Sequence, residues 1–272
     1  MSKMMKNESI TIDKRTLEFL LFSYFGKAKS AVEAAINVAY RDMAAHTLTK
    51  KANDERKDSD DWKKRKEAAK SAAYACIEKA LNSLNVESYD AYDNWHRNLC
   101  KTLNSAYNEK DAKLTFGQAQ KWVNMTMKYL YMFYLLENSQ AMENVNKELK
   151  EKYKLGQELK DIIGATNLYY HVPLDNYILK RLYQLLEEER IESQLKSTNL
   201  KNDSETYKLE IDKTFYSWSR IPFDVNADGV VQEPVCKDYY VLQEELRKQL
   251  GEEKEPMLLW EFDNWIQVAM QK

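Results

Sequence analysis

Two lysines, Lys121 and Lys128, stand in the nearly apolar run LTFGQAQKWVNMTMKYLYMFYLL, Leu114 to Leu136. Asn124 and Lys128 follow Lys121 by three and seven residues, which puts all three on one face of a helix. An ammonium group is rarely buried without a partner or a water-filled cleft, so this stripe is the first candidate site. A desolvated amine is a nucleophile able to form a Schiff base, and a nearby carboxylate would assist its activation. The carboxylate that draws attention is Asp175, in His171-Val172-Pro173-Leu174-Asp175.

The elements that would carry these groups are legible. Thr115 with Gln118 three residues on fits a capping box and predicts a helix start. Downstream, Trp122, Met125, Tyr129, Met132 or Phe133 and Leu136 recur at helical spacing. Val123, Met127, Leu130 and Tyr134 fill much of the remaining surface, which predicts a helix buried nearly all round. Pro173 disfavours a helical Val172, and Asp175 can cap a helix over Asn176–Glu192 with Ile178, Leu179, Leu182, Leu185 and Leu186 on its apolar face. Capping alone is a sufficient reason for an aspartate there.

The 272 residues suffice for one large helical domain or for two lobes, 1–110 and 111–272, around a cleft. Six glycines and four prolines, all the prolines beyond residue 170, predict an all-α chain with negligible strand. A formal net charge of −2 argues against nucleic-acid affinity driven by overall charge. Cys76, Cys100 and Cys236 form no CxxC pair, so reduced structural thiols are expected. The opening MSKMMKNESITIDK lacks the apolar core of a signal peptide, and no membrane-spanning run follows, which makes the cytoplasm the expected compartment.

Along the chain, helical spacing runs from Ile12 to about His46 past Gly26. The charge run Lys50–Lys70 reads as a solvated loop leading into an amphipathic helix; a basic nucleic-acid contact from Lys63, Lys64, Arg65 and Lys66 is the minority reading. Ser88 is a fair N-cap for a helix carrying Tyr92, Trp95, Leu99, Leu103 and Tyr107. His96 and Cys100 sit at i and i+4 on it, but two donors without a third predict no metal site. Residues 137–168 read as a connecting excursion of short helices, 196–213 as a loop, and Phe215–Phe223 as an aromatic segment that packs. Two last helices are expected over about Lys237–Leu250 and Met257–Met270. Asp224–Val235 matches a calcium loop at Asp224, Asn226, Asp228 and Gly229, but Val235 stands where a bidentate Glu is required, so tight calcium binding is not expected.

Phe116-Gly117-Gln118-Ala119-Gln120-Lys121 resembles the hairpin of helix-hairpin-helix DNA glycosylases, with Lys121 at the lysine of the bifunctional members. Val172–Leu182 is similar to the segment that carries that family's essential aspartate, here Asp175. The 8-oxoguanine glycosylase branch is closest, through its lysines at both ends of an apolar heptad. The resemblance implies a helix-hairpin-helix fold, no cofactor and a DNA partner. Lys121 would attack C1′ of a damaged nucleotide, Asp175 would assist, and Lys128 would be an auxiliary charge. Gly117, Gln118, Gln120, Asn124, Lys180 and Arg181 would contact nucleic acid, and Trp122, Tyr129 and Trp218 would hold a flipped base. The alternative is a non-enzymatic helical protein, binding nucleic acid or another protein, in which the lysines pair with carboxylates and Asp175 is only a cap.

Overall fold

The computed structural model describes residues 14–44, 60–107, 114–143, 145–187, 199–202, 205–208, 218–223, 237–250 and 255–271. Its organising element is a helix over Phe116–Glu137, the fifth in chain order and labelled α5. All but a few of its side chains are buried, as its apolar periodicity requires. Before it come α1 (Lys14–Phe25), α2 (Ala31–Ala44), α3 (Asp60–Asn82) and α4 (Tyr89–Ala106). After it come α6 (Lys147–Lys152), α7 (Gln157–Thr166), α8 (Asn176–Glu187), α9 (Lys237–Leu250) and α10 (Met257–Ala269). α5 packs most extensively on α2 and also on α4, while α8 packs on α10. Trp122, Phe116 and Phe133 of α5 enter one continuous core with Ile36 and Met43 of α2 and Tyr92 of α4.

The all-α expectation holds, and short elements within it depart from the sequence reading. The apolar spacing past Gly26 is interrupted: Gly26 takes φ +67° and its N–H bonds back to the Phe22 carbonyl, ending α1 in a left-handed turn. α3 begins at Asp60, inside the stretch read as a loop. Alternating charge favours a solvated helix there, because Arg65 meets Asp61 at 3.1 Å four residues away. Residues Asn199–Asn202 (β1) and Glu205–Lys208 (β2) pair antiparallel where a loop was expected. Thr206 and Tyr207 favour the extended backbone, and a polar stretch has no helical stripe to oppose it. Ser88 caps α4 as predicted, its side chain accepting from the Ala91 N–H. The Asp224–Val235 loop lies outside the described residues. None of the described helices is long and apolar enough to cross a membrane.

Candidate functional site

α5 starts where its capping box says it should. The Thr115 hydroxyl accepts the Gln118 N–H and the Gln118 side chain accepts the Thr115 N–H, at 3.1 and 2.9 Å. That start is pinned to the segment 218–223, because the Thr115 hydroxyl donates to the Ser219 carbonyl at 2.7 Å and the Gly117 N–H to the Ile221 carbonyl at 3.0 Å. Any Cβ at Gly117 would overlap the Trp218 carbonyl oxygen. Phe116 to Lys121 are therefore the first turns of a helix and not a hairpin. The Gly117 amide expected to face a phosphate is used inside the protein, as is the Gln118 side chain.

Lys121 then points at Asp175. Its Nζ lies 3.7 Å from Asp175 Oδ2 and 4.2 Å from the centre of the Trp218 ring. Asp175 serves two ends at once: Oδ1 accepts the N–H groups of Tyr177 and Ile178 as the cap of α8, and Oδ2 accepts the Trp265 Nε1–H at 3.1 Å. Asp175 thus caps α8 and also faces the Lys121 ammonium. Burial holds the Lys121 amine below the usual lysine range, with the charges of Asp175 and Asp42 opposing that shift. Lys128 meets both oxygens of Glu261, at 2.8 and 2.7 Å. Burial raises the Glu261 carboxyl and Lys128 pulls it back down.

These groups border a cavity of about 550 Å³ whose walls include Lys121, Lys128, Asp175, Asp42, Tyr24 and Tyr129 together with Met125, Met132, Tyr177, Phe262, Trp265 and Ile266. Tyr129 donates a short hydrogen bond to Asp42 Oδ2 and lies 2.7 Å from the Tyr24 hydroxyl. Arg41 approaches the other Asp42 oxygen at 3.5 Å. No family model matches the chain, and neither curated proteins nor solved structures give a match. The residues of the cavity therefore carry the functional reading.

Of the residues expected to hold a base, Tyr129 lines the cavity and Trp218 lies over Lys121. Trp122 does neither: its Nε1–H donates to the Ile36 carbonyl and its ring packs on Tyr40. Tyr177, Phe262 and Trp265 supply the aromatic walls instead. Sequence spacing could not single them out, because they come from α8 and α10. Glu261 and Asp42 were missed too, although each is an acid beside apolar helical neighbours, the same signal that drew attention to Lys121.

Gln120 and Asn124 are also not surface contacts. At 3.6 residues per turn Asn124 lies about 60° round the helix from Lys121, enough to turn it into the core. Gln120 Nε2 donates to the Gly117 and Leu174 carbonyls, and Asn124 Nδ2 donates to Gln120 Oε1 and the Tyr239 hydroxyl. Arg181 is buried and its Nε–H donates to Asn264 Oδ1 at 2.7 Å, tying α8 to α10; Lys180 is half-buried on α8.

The chain of polar groups continues from Tyr239. His171 Nδ1 is 3.0 Å from the Tyr239 hydroxyl, and its Nε2 is 2.7 Å from Asp93 Oδ1. Arg247 forks onto both Asp93 oxygens. An Nε2–H tautomer donating to Asp93 and accepting from Tyr239 satisfies both ring nitrogens of His171. Burial pushes His171 down to about 4, opposed by its hydrogen bond to Asp93. His96 binds the Tyr240 hydroxyl at 2.9 Å, with Cys100 Sγ 3.8 Å from its ring nitrogens. Among the described residues no three His, Cys, Asp or Glu side chains are grouped to hold a metal ion.

Proposed function

We propose that this protein is a DNA glycosylase-like enzyme in which Lys121 is the amine nucleophile, Asp175 its carboxylate partner and Lys128 an auxiliary charge. The observation that supports it is the 3.7 Å approach of Lys121 Nζ to Asp175 Oδ2 at the wall of a cavity of about 550 Å³, within the size range of small-molecule pockets. Two groups must reach one reacting carbon, and this separation lets them do so.

After Lys121 loses a proton, its lone pair forms a bond to C1′ while the glycosidic C–N bond breaks; the base leaves with that electron pair and takes up a proton. The new nitrogen–carbon bond becomes an imine as the ring C1′–O4′ bond opens, the nitrogen giving up its protons and the ring oxygen gaining one. Asp175, held by three N–H donors, stabilises the positive charge that develops on the sugar and relays protons. Tyr177, Phe262 and Trp265 offer faces on which an extruded base stacks. DNA is the partner of this reading.

The test is borohydride trapping on damaged duplex and single-stranded oligonucleotides. Wild type forms a covalent adduct on at least one lesion, Lys121→Ala forms none while keeping its circular dichroism spectrum, and Asp175→Asn slows trapping more than binding. One observation favours a second reading, a helical interaction protein without catalysis: both lysines already have carboxylate partners, as a purely structural network would. Absence of trapping across the panel selects it.

A further inference from the structure

We infer that the cavity beside Lys121 takes an uncharged, predominantly apolar molecule and discriminates against anions and cations alike. The inference rests on the cavity being a ligand site, as in the reading above, and not on the covalent step.

Among the described residues, the charged side chains on the cavity wall are Asp42, Lys121, Lys128 and Asp175. Each is answered from inside the protein. Lys121 Nζ has Asp175 Oδ2 at 3.7 Å and feels the charge of Asp42 as well. Lys128 closes on Glu261, which stands behind it with 1% of its surface exposed. The same ammonium lies 5.1 Å from the Phe262 ring centre and 5.9 Å from that of Trp265, so those faces already serve a cation of the protein's own. Asp175 accepts the N–H groups of Tyr177, Ile178 and Trp265, while Asp42 accepts the Tyr129 hydroxyl and has Arg41 3.5 Å from its other oxygen. A charged ligand would give up its hydration without meeting a free counter-charge. To gain one it would have to break a pair and leave the displaced group buried alone.

What the wall leaves unclaimed is apolar surface, from Met125, Met132, Phe262 and Ile266. Covering it is favourable for an uncharged molecule and disturbs none of the ion pairs. The two methionines adapt to the outline of an occupant, so the site selects for charge more than for shape. Its lining also reaches the surface. Ile266 is 53% exposed and Tyr24 42%, which gives an apolar molecule a way in.

The probes share one compact hydrocarbon cage: 1-adamantanemethanol is uncharged, 1-adamantanecarboxylate is an anion and 1-adamantanemethylammonium a cation. In ligand-observed NMR titrations with the full-length protein at neutral pH, the alcohol binds about tenfold more tightly than either ion. Lys121→Met keeps the apolar wall but leaves Asp42 and Asp175 short of a cation, so the ammonium probe gains about tenfold on the alcohol and the carboxylate gains nothing. Phe262→Ala takes away apolar wall without touching a hydrogen bond. It weakens the alcohol several-fold and keeps the test decisive if Lys121→Met does not fold. The inference is overturned if the alcohol does not bind wild type, if either ion equals it, or if Phe262→Ala has no effect. An unchanged order of the three probes in a folded Lys121→Met overturns it too. Adduct formation on DNA with no preference for the alcohol removes this inference alone. A preference for the alcohol without any adduct supports it and removes only the covalent reading.

Discussion

Lys121 and Lys128 leave the same stripe of α5 seven residues apart, yet their partners make them respond differently to removal. Lys121→Met leaves Asp175 with three N–H donors, so the carboxylate stays solvated by the protein. Urea unfolding is expected to place this variant within about 1 kcal/mol of wild type, because the desolvation of the amine disappears with the ion pair. Lys128→Met instead strands Glu261, which is buried and depends on that ammonium. Its expected cost is about 3 to 5 kcal/mol at neutral pH. Equal losses in the two variants would show that Asp175 also needs its lysine. Lys121 carries a second prediction. Only the unprotonated amine attacks, and burial lowers its proton affinity, so the rate of borohydride-trapped adduct formation should reach its half-maximum below the usual lysine value of about 10.4. A half-maximum at or above that value would mean that Asp175 outweighs the desolvation.

At the scale of elements, the close approach of the 218–223 segment to α5 is what puts Trp218 over Lys121. Only a glycine at position 117 permits it, since a side-chain carbon there would overlap the Trp218 carbonyl. Gly117→Ala should therefore cost about 1 to 3 kcal/mol or more by overpacking. It should also change the emission of Trp218 and displace the ring from the lysine. Gly26→Ala is the contrasting case. Nothing lies near the added carbon, but φ +67° is unfavourable for alanine, so thermal melts should show a loss of about 1 kcal/mol with no spectral change at Trp218. If both substitutions cost the same and leave the emission alone, the segment is not held through Gly117.

Across the whole molecule, the buried series from Asp93 through His171 and Tyr239 to Asn124 links α4, the segment before α8, α9 and α5. It makes the fold sensitive to acid. Burial keeps His171 neutral in the folded state down to about 4, against an ordinary 6.5, and His96 is shifted in the same direction. The unfolded chain therefore binds protons that the folded chain refuses, and stability must fall as pH drops from about 6.5 towards 4, by about 1.4 kcal/mol per pH unit from His171, with His96 acting in the same direction. Burial alone would raise Asp93, but His171 and Arg247 hold it below the usual carboxylate range, so its contribution is lost only at still lower pH. Urea midpoints measured from pH 7 to 4 check this. A flat profile would mean that the histidines gain protons without disturbing the core.

The sequence by itself determined the helical class, the start of α5 and the lysine stripe. Each depends on local spacing: apolar residues three and four apart, a Thr and a Gln three apart, and cations where a face should be apolar. The dual role of Asp175 was half legible, since its capping is local and its lysine is not. Only the tertiary structure decided which acids face which lysines. Asp42 and Glu261 come from helices far along the chain, and nothing in their own neighbourhoods specifies the partner. The same holds for Gln120, Asn124, Arg181 and Trp122, which composition marks as polar or aromatic contacts and packing turns inward. Local periodicity fixes the face of a helix on which a residue sits, whereas the helix that covers that face is set by long-range packing.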